Sequence, residues 1–130
     1  SFNRQKERYE CIKPFLGLNS IGAEIGVYQG GFGEFLRKHT NKLYLIDPWY
    51  RLKPFWGDRR PENSAVEAFI YLLTIYKDEI ENQEVEVVPE FSVQFLKSKP
   101  ENYFDWIYLD ASHRYESTIE EIKAALYCIK

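Results

Sequence analysis

Glu24-Ile25-Gly26-Val27-Tyr28-Gln29-Gly30-Gly31-Phe32, together with the later run Leu43-Tyr44-Leu45-Ile46-Asp47, decides how this chain folds. The apolar segment Ile21 to Ile25 runs into glycines, which tolerate a tight turn and leave room beside the backbone. A helix-compatible stretch from Gly33 to His39 comes next, and then a second apolar run that closes on an acid. Strand, glycine turn, helix and strand make the start of a βαβ unit. Asp47 lies 21 positions after Gly26, where the tip of the second parallel strand would place it beside a ribose. The segment reads as a cradle for a nucleoside-bearing cofactor.

Spacing tests which cofactor. The dinucleotide fingerprint G-x-G-x-x-G requires glycine where Tyr28 stands, and a start at Gly31 puts Leu36 in the last glycine position. A Walker loop requires lysine and a hydroxyl residue where Phe32 and Gly33 follow Gly31. Both phosphate loops fail, which weighs against a nucleotide-dependent oxidoreductase; NAD binding would revive that reading. A plainer account also stands, since any strand-to-helix turn in an α/β protein can use two or three glycines.

Elements outward from this core alternate: helix, strand, helix, strand, long loop, helix, strand, short helix, strand, helix. That order implies a parallel sheet covered by helices. The first helix offers Tyr9, Ile12, Phe15 and Leu16 as its apolar face and ends by Gly17. Ser64-Ala65-Val66-Glu67 is a capping box, and Val66, Phe69, Ile70, Leu73, Tyr76 and Ile80 form the stripe behind it. Val85 to Val88 reads as the third strand and Phe104 to Leu109, almost continuously apolar, as the fourth. Ser117-Thr118-Ile119-Glu120 caps the last helix, whose stripe is Ile119, Ile122, Leu126 and Ile129.

Composition narrows the function. At 130 residues and 45% hydrophobic content the chain is one domain's worth or less, with enough apolar mass for a core. A net charge of −3 with scattered Lys and Arg gives no footprint for nucleic acid. No apolar run reaches the length of a membrane span, and no signal segment is present, so the cytoplasm is the expected location. Cys11 and Cys128 lack metal or redox spacing and read as reduced thiols. The loop from Pro48 to Asn63 concentrates Trp49, Tyr50, Phe55 and Trp56 with Arg51, Lys53, Arg59 and Arg60; it reads as a lid over an acceptor or as a loop packing its own aromatics. His39 reads as a surface histidine at a helix end.

E-x-G-x-x-x-G-G-F, the acid Asp47, and the segment Tyr103-Phe104-Asp105-Trp106-Ile107-Tyr108-Leu109-Asp110-Ala111-Ser112-His113-Arg114-Tyr115-Glu116 together resemble class I S-adenosylmethionine-dependent methyltransferases. The nearest branch is that of small-molecule and sugar O-methyltransferases, similar to methyltransferase family 24. The resemblance spans roughly residues 21 to 126 and implies a Rossmann-like α/β sheet, strands in order 3-2-1-4 with helices on both faces. A full member has seven strands, so the last strands are lacking. The chain is therefore expected to be a fragment, or to have its sheet completed by a partner chain such as a second copy in a homo-oligomer; an uncovered fourth strand would invite pairing or aggregation.

By this resemblance Gly26, Gly30 and Gly31 let the backbone approach the methionine part of S-adenosyl-L-methionine, and Glu24 helps hold its amino group. Asp47 accepts the ribose hydroxyls. Trp49 would border the adenine by stacking, and Ser92 by a hydrogen bond. Asp110 and His113 are the catalytic candidates. In metal-dependent relatives the acid ending the fourth strand binds a divalent cation such as Mg2+, which polarises the acceptor hydroxyl, and Asp110 matches that acid. His113 would be the general base, or a turn histidine bonding locally. Arg114 and Tyr115 would line the acceptor pocket or face solvent. The expected substrate is a small hydroxylated acceptor, a sugar among them, with no nucleic-acid or membrane partner. The alternative is a non-catalytic module that holds cofactor or a partner.

Overall fold

The computed structural model describes residues 2–28, 30–52, 64–110 and 118–130. Helix α1 (Phe2–Leu16) leads into β1 (Ser20–Ile25), α2 (Gly33–Arg37), β2 (Thr40–Asp47) and a 3-10 turn (Trp49–Leu52). Then come α3 (Ser64–Ile75), α4 (Lys77–Glu81), β3 (Val85–Pro89), α5 (Ser92–Lys97), β4 (Trp106–Leu109) and α6 (Thr118–Cys128). All three strand pairings are parallel, as the alternation of elements implies, and the sheet order is β3-β2-β1-β4, as the family resemblance implies.

Side chains alternate across the sheet, and so divide the core in two. Leu43 and Leu45 of β2 face Tyr9, Leu36, Trp49, Leu72 and Tyr76. Tyr44 and Ile46 face the other way, with Ala23 and Ile25 of β1, toward Phe95, Phe104, Ala125 and Cys128. Both faces are covered by helices, and the stretch Leu43 to Ile46 in the middle of β2 is buried throughout.

The β1–β4 register is keyed near its start. Gly22 pairs with Trp106, and a Cβ on Gly22 would lie 2.2 Å from the Trp106 ring, so glycine supplies the notch the indole fills. The indole N–H donates to Ser20 Oγ at 2.9 Å. One residue earlier, Asp105 Oδ2 accepts the Ile21 N–H at 2.7 Å, a side chain taking the place of a ladder carbonyl. This donor, more than the nearby Lys130, holds the Asp105 carboxyl below its usual range. The regular strand consequently starts at Trp106 rather than Phe104, which makes only an isolated bridge to Ile129.

Helix faces depart from the apolar periodicity. In α3 the buried residue is Leu72, with Ala65, Ala68 and Phe69 packed beside it, while Ile70 and Leu73 face solvent. The helix also breaks at Tyr76, whose side chain is buried before α4 begins. In α6 the expected stripe points outward: Ile119 and Leu126 are 66% and 68% exposed, whereas Glu121, Ala124, Ala125 and Cys128 are buried. Small residues let α6 approach the sheet closely, and Glu121 is accommodated by a hydrogen bond from Ser92. In α1, Phe15 is exposed while Tyr9 and Leu16 are buried. His39 is likewise inside: its Nδ1 lies 2.6 Å from Gly17 O and its Nε2 2.7 Å from Tyr9 Oη. The carbonyl can only accept, so Nδ1 carries the hydrogen that joins His39 to Gly17. Among the described residues β4 is paired on one side only, and no helix is long and apolar enough to cross a membrane.

Candidate functional site

Parallel strands present their carboxyl ends along one edge of the sheet, and there the turn after β1 meets the ends of β2 and β4. Gly26 N–H donates to Ile46 O at 2.9 Å on one side, and Asp110 N–H donates to Ile25 O at 3.0 Å on the other. Glu24, Asp47 and Asp110 thus come from three adjacent strands to one place, as the order 3-2-1-4 requires.

Asp47 clasps two turns. Its Oδ2 accepts the Tyr28 N–H at 3.0 Å and its Oδ1 accepts the Trp49 N–H at 2.8 Å. The Trp49 indole N–H in turn donates to Tyr28 O at 2.8 Å. Tyr28 (φ 46°) and Trp49 (φ 43°) are both left-handed, a conformation costing a non-glycine residue about 1 kcal/mol or more. Two hydrogen bonds to the carboxylate and one between the turns hold both residues there, so the carboxylate is fixed in direction as well as position.

The glycines divide their labour. Gly26 (φ 92°) and Gly30 (φ 81°) need the left-handed region that glycine enters freely. At Gly30 a Cβ would also lie 2.4 Å from Leu72 Cδ2, so the space beside it is taken by α3 rather than left for a ligand. At Gly31 a Cβ would lie 2.8 Å from the end of the Gln5 side chain.

Glu24 is buried to 4% exposure, and its Oε1 has no hydrogen-bond partner among the described residues. Burial first, then the negative charges of Asp110 and Asp47, push its carboxyl up to about 8. A buried carboxyl beside two acids gives up its proton more readily when a positive charge is brought against it.

Two residues expected beside the adenine are packed inside the fold. Trp49 has 0% exposure; its ring centroid lies 5.2 Å from that of Phe69, and its indole N–H is spent on Tyr28. It builds the clasp and the core. Ser92, 2% exposed, opens α5 and donates its hydroxyl to Glu121, tying α5 to α6. Of the lid residues, Arg51 pairs with Glu90 at 3.6 Å and Tyr50 packs edge-on against Phe69. Lys53, Phe55, Trp56, Arg59 and Arg60, and on the acceptor side His113, Arg114 and Tyr115, lie outside the described residues. Among the described residues no group of three His, Cys, Asp or Glu side chains could hold a metal ion, so no metal is assigned to Asp110.

Tyr28 and Tyr76 were not singled out from the sequence. Tyr28 merely fills a variable place in the glycine run, and Tyr76 counts as one aromatic in an apolar stripe. Only the fold puts the first under Asp47 and the second beside Glu24.

A family model described as a methyltransferase domain matches residues 23–130. Among solved structures, the chain is similar to SMU.1697c, a candidate methyltransferase from Streptococcus mutans in complex with S-adenosylhomocysteine, at 15% identity and TM-score 0.59, covering 96% of this chain and 65% of that one. It is similar to a candidate S-adenosyl-L-methionine-dependent methyltransferase from Methanococcus maripaludis at 16% identity and TM-score 0.63, covering 93% and 48%. It is also similar to spermidine synthase from Thermotoga maritima at 20% identity and TM-score 0.60, covering 95% and 39%. At these identities the likeness is one of fold, and the chain spans less than two thirds of each of these structures. No curated protein matches it.

Proposed function

Because the chain belongs to the methyltransferase domain family and carries the 3-2-1-4 strands of the class I S-adenosylmethionine-dependent fold, we propose that it binds S-adenosyl-L-methionine and serves O-methylation of a sugar or another small hydroxylated metabolite. The observation that carries this reading is the meeting of Glu24, Asp47 and Asp110 around a turn whose path Asp47 dictates. Bound there, the cofactor supplies a methyl group activated on a sulfonium.

The residues suit that guest. Glu24, with a buried oxygen lacking a partner among the described residues, fits an ammonium group. Asp47, aimed by two backbone donors, fits the ribose hydroxyls as an acceptor. Gly26, Gly30 and Gly31 give the turn its tight path around the methionine part. Methyl transfer needs an in-line nucleophile, so what the acceptor side must do is orient a hydroxyl and remove its proton. We assign orientation to Asp110 and proton removal to His113, whose ordinary pKa lies near neutrality. A cytoplasmic setting belongs to the proposal, supported by two free thiols, Cys11 and Cys128.

Calorimetric titration with S-adenosylhomocysteine tests the reading, beside Asp47→Ala and Asp47→Asn variants whose folding is checked by circular dichroism. Saturable binding by the parent, weakened at least about tenfold in a folded variant, supports it; that loss corresponds to about 1.4 kcal/mol, the scale of one charge-assisted hydrogen bond. Absence of binding by the folded parent overturns it. Binding without turnover across a panel of hydroxylated acceptors would favour a non-catalytic cofactor-holding module.

A further inference from the structure

Of the three buried side-chain polar atoms that have no hydrogen-bond partner among the described residues, two face the same spot: Glu24 Oε1 and Tyr76 Oη. They come from β1 and from the break between α3 and α4, and they meet at Gly33, the first residue of α2. A Cβ on Gly33 would lie 3.2 Å from Tyr76 Oη, 3.3 Å from Leu45 Cδ2 and 3.6 Å from Glu24 Oε1. The missing side chain therefore lets a phenol, a carboxyl and a leucine close in on the same spot, too tightly for a methyl. A buried hydroxyl without a partner is costly, and phenylalanine would fill the same space without that cost. The hydroxyl must serve a state other than the ligand-free one.

We propose that Tyr76 is a positioning residue that works through Glu24: its hydroxyl closes on Glu24 Oε1 beside Gly33 when the ligand's ammonium group arrives. This rests on the cofactor reading above. The carboxyl O–H bond breaks, the proton leaves to solvent, and the ammonium keeps its charge and becomes the counter-ion of the new carboxylate. Tyr76 loses no proton and supplies one hydrogen bond to the charge.

The charges around the pair fit this division of roles. Asp110 beyond β4 and Asp47 at the end of β2 face Glu24, and with burial they keep it protonated at neutral pH in the ligand-free protein. Burial, with Glu34 of α2, Glu24 of β1 and Glu79 of α4, pushes the Tyr76 phenol upward against the opposing Arg37 of α2, so it stays a neutral donor.

The test is calorimetric titration with S-adenosylhomocysteine from pH 6 to 9, in buffers of different ionisation enthalpy. With Glu24 at about 8 when empty, the wild type is expected to release about 0.9 proton per ligand bound at pH 7 and to bind about tenfold more weakly there than at pH 9. Glu24→Gln should bind with no proton release and no such pH dependence. Tyr76→Phe, which keeps the ring, should be at least as thermostable as the wild type yet bind about tenfold more weakly at pH 7, its affinity levelling off only at higher pH. Wild-type binding without proton release, or Tyr76→Phe binding like the wild type at every pH, overturns the proposal and leaves the cofactor reading intact. No binding at any pH overturns both.

Discussion

Replacing Glu24 by Gln should make the ligand-free protein more stable, by an amount that grows with pH. The carboxyl sits at about 8 in the folded chain against an ordinary 4.5, so the native state holds its proton over a range where the unfolded chain has lost it. Stability from this group is fully present below pH 4.5 and drains away as pH rises toward 8. At pH 7 the folded chain is 2.5 units past the unfolded value, a penalty of roughly 3 kcal/mol at 1.36 kcal/mol per unit. Glutamine has the shape of the protonated acid and never ionises, so the variant escapes that penalty. Against a total stability on the order of 5–15 kcal/mol the difference is large. Urea unfolding of both proteins at pH 5, 6, 7 and 8 measures it, the wild type falling relative to the variant by about 1.4 kcal/mol per unit. Parallel stability curves across this range would refute the account of Glu24 as a buried acid held for a ligand.

Gly30→Ala combines a left-handed φ of 81° with a Cβ 2.4 Å from Leu72 Cδ2, and should cost about 2 kcal/mol. In a thermal-denaturation double-mutant cycle with Leu72→Ala, which clears the clash, part of that cost should disappear as a coupling of about 1 kcal/mol. Ser92→Ala removes the hydroxyl that donates to the buried Glu121 carboxylate, and should destabilise by about 2 kcal/mol in chemical denaturation with little change in cofactor affinity. A selective loss of cofactor affinity in Ser92→Ala would instead restore its place beside the adenine.

The parts of the fold that could be read from sequence are those where local chemistry and topology agree. Gly26 and Gly30 sit where the backbone turns left-handed, and Asp47 closes β2 beside the turn after β1. Helix faces were less legible because apolar periodicity assumes that large residues go inside. In α6 the close approach of Ala124, Ala125 and Cys128 decides the face, and a buried acid with a distant serine partner leaves no local signal. The burial of Trp49 is hidden for a related reason. An aromatic next to a ribose-binding acid suggests a base stack, but whether its ring faces outward depends on Phe69 of a helix that begins 15 positions later. His39 was hidden likewise, since both of its partners, Gly17 and Tyr9, lie more than 20 residues upstream.

The notch at Gly22 bears on how accurately the acids are placed. A paired strand behaves as a stiff ruler, advancing about 3.3 Å per residue, so Asp110 stands about 13 Å along β4 from Trp106. Seating the indole in the notch therefore zeroes that ruler at its far end, and Ser20 and Asp105 keep it zeroed. A slip of one residue would carry Asp110 a full step past Glu24 and turn its side chain to the opposite face. Alignment of the charge cluster is thus set by apolar fit at the other end of the sheet, out of reach of any ligand, and chemistry at the site can vary without disturbing its gauge.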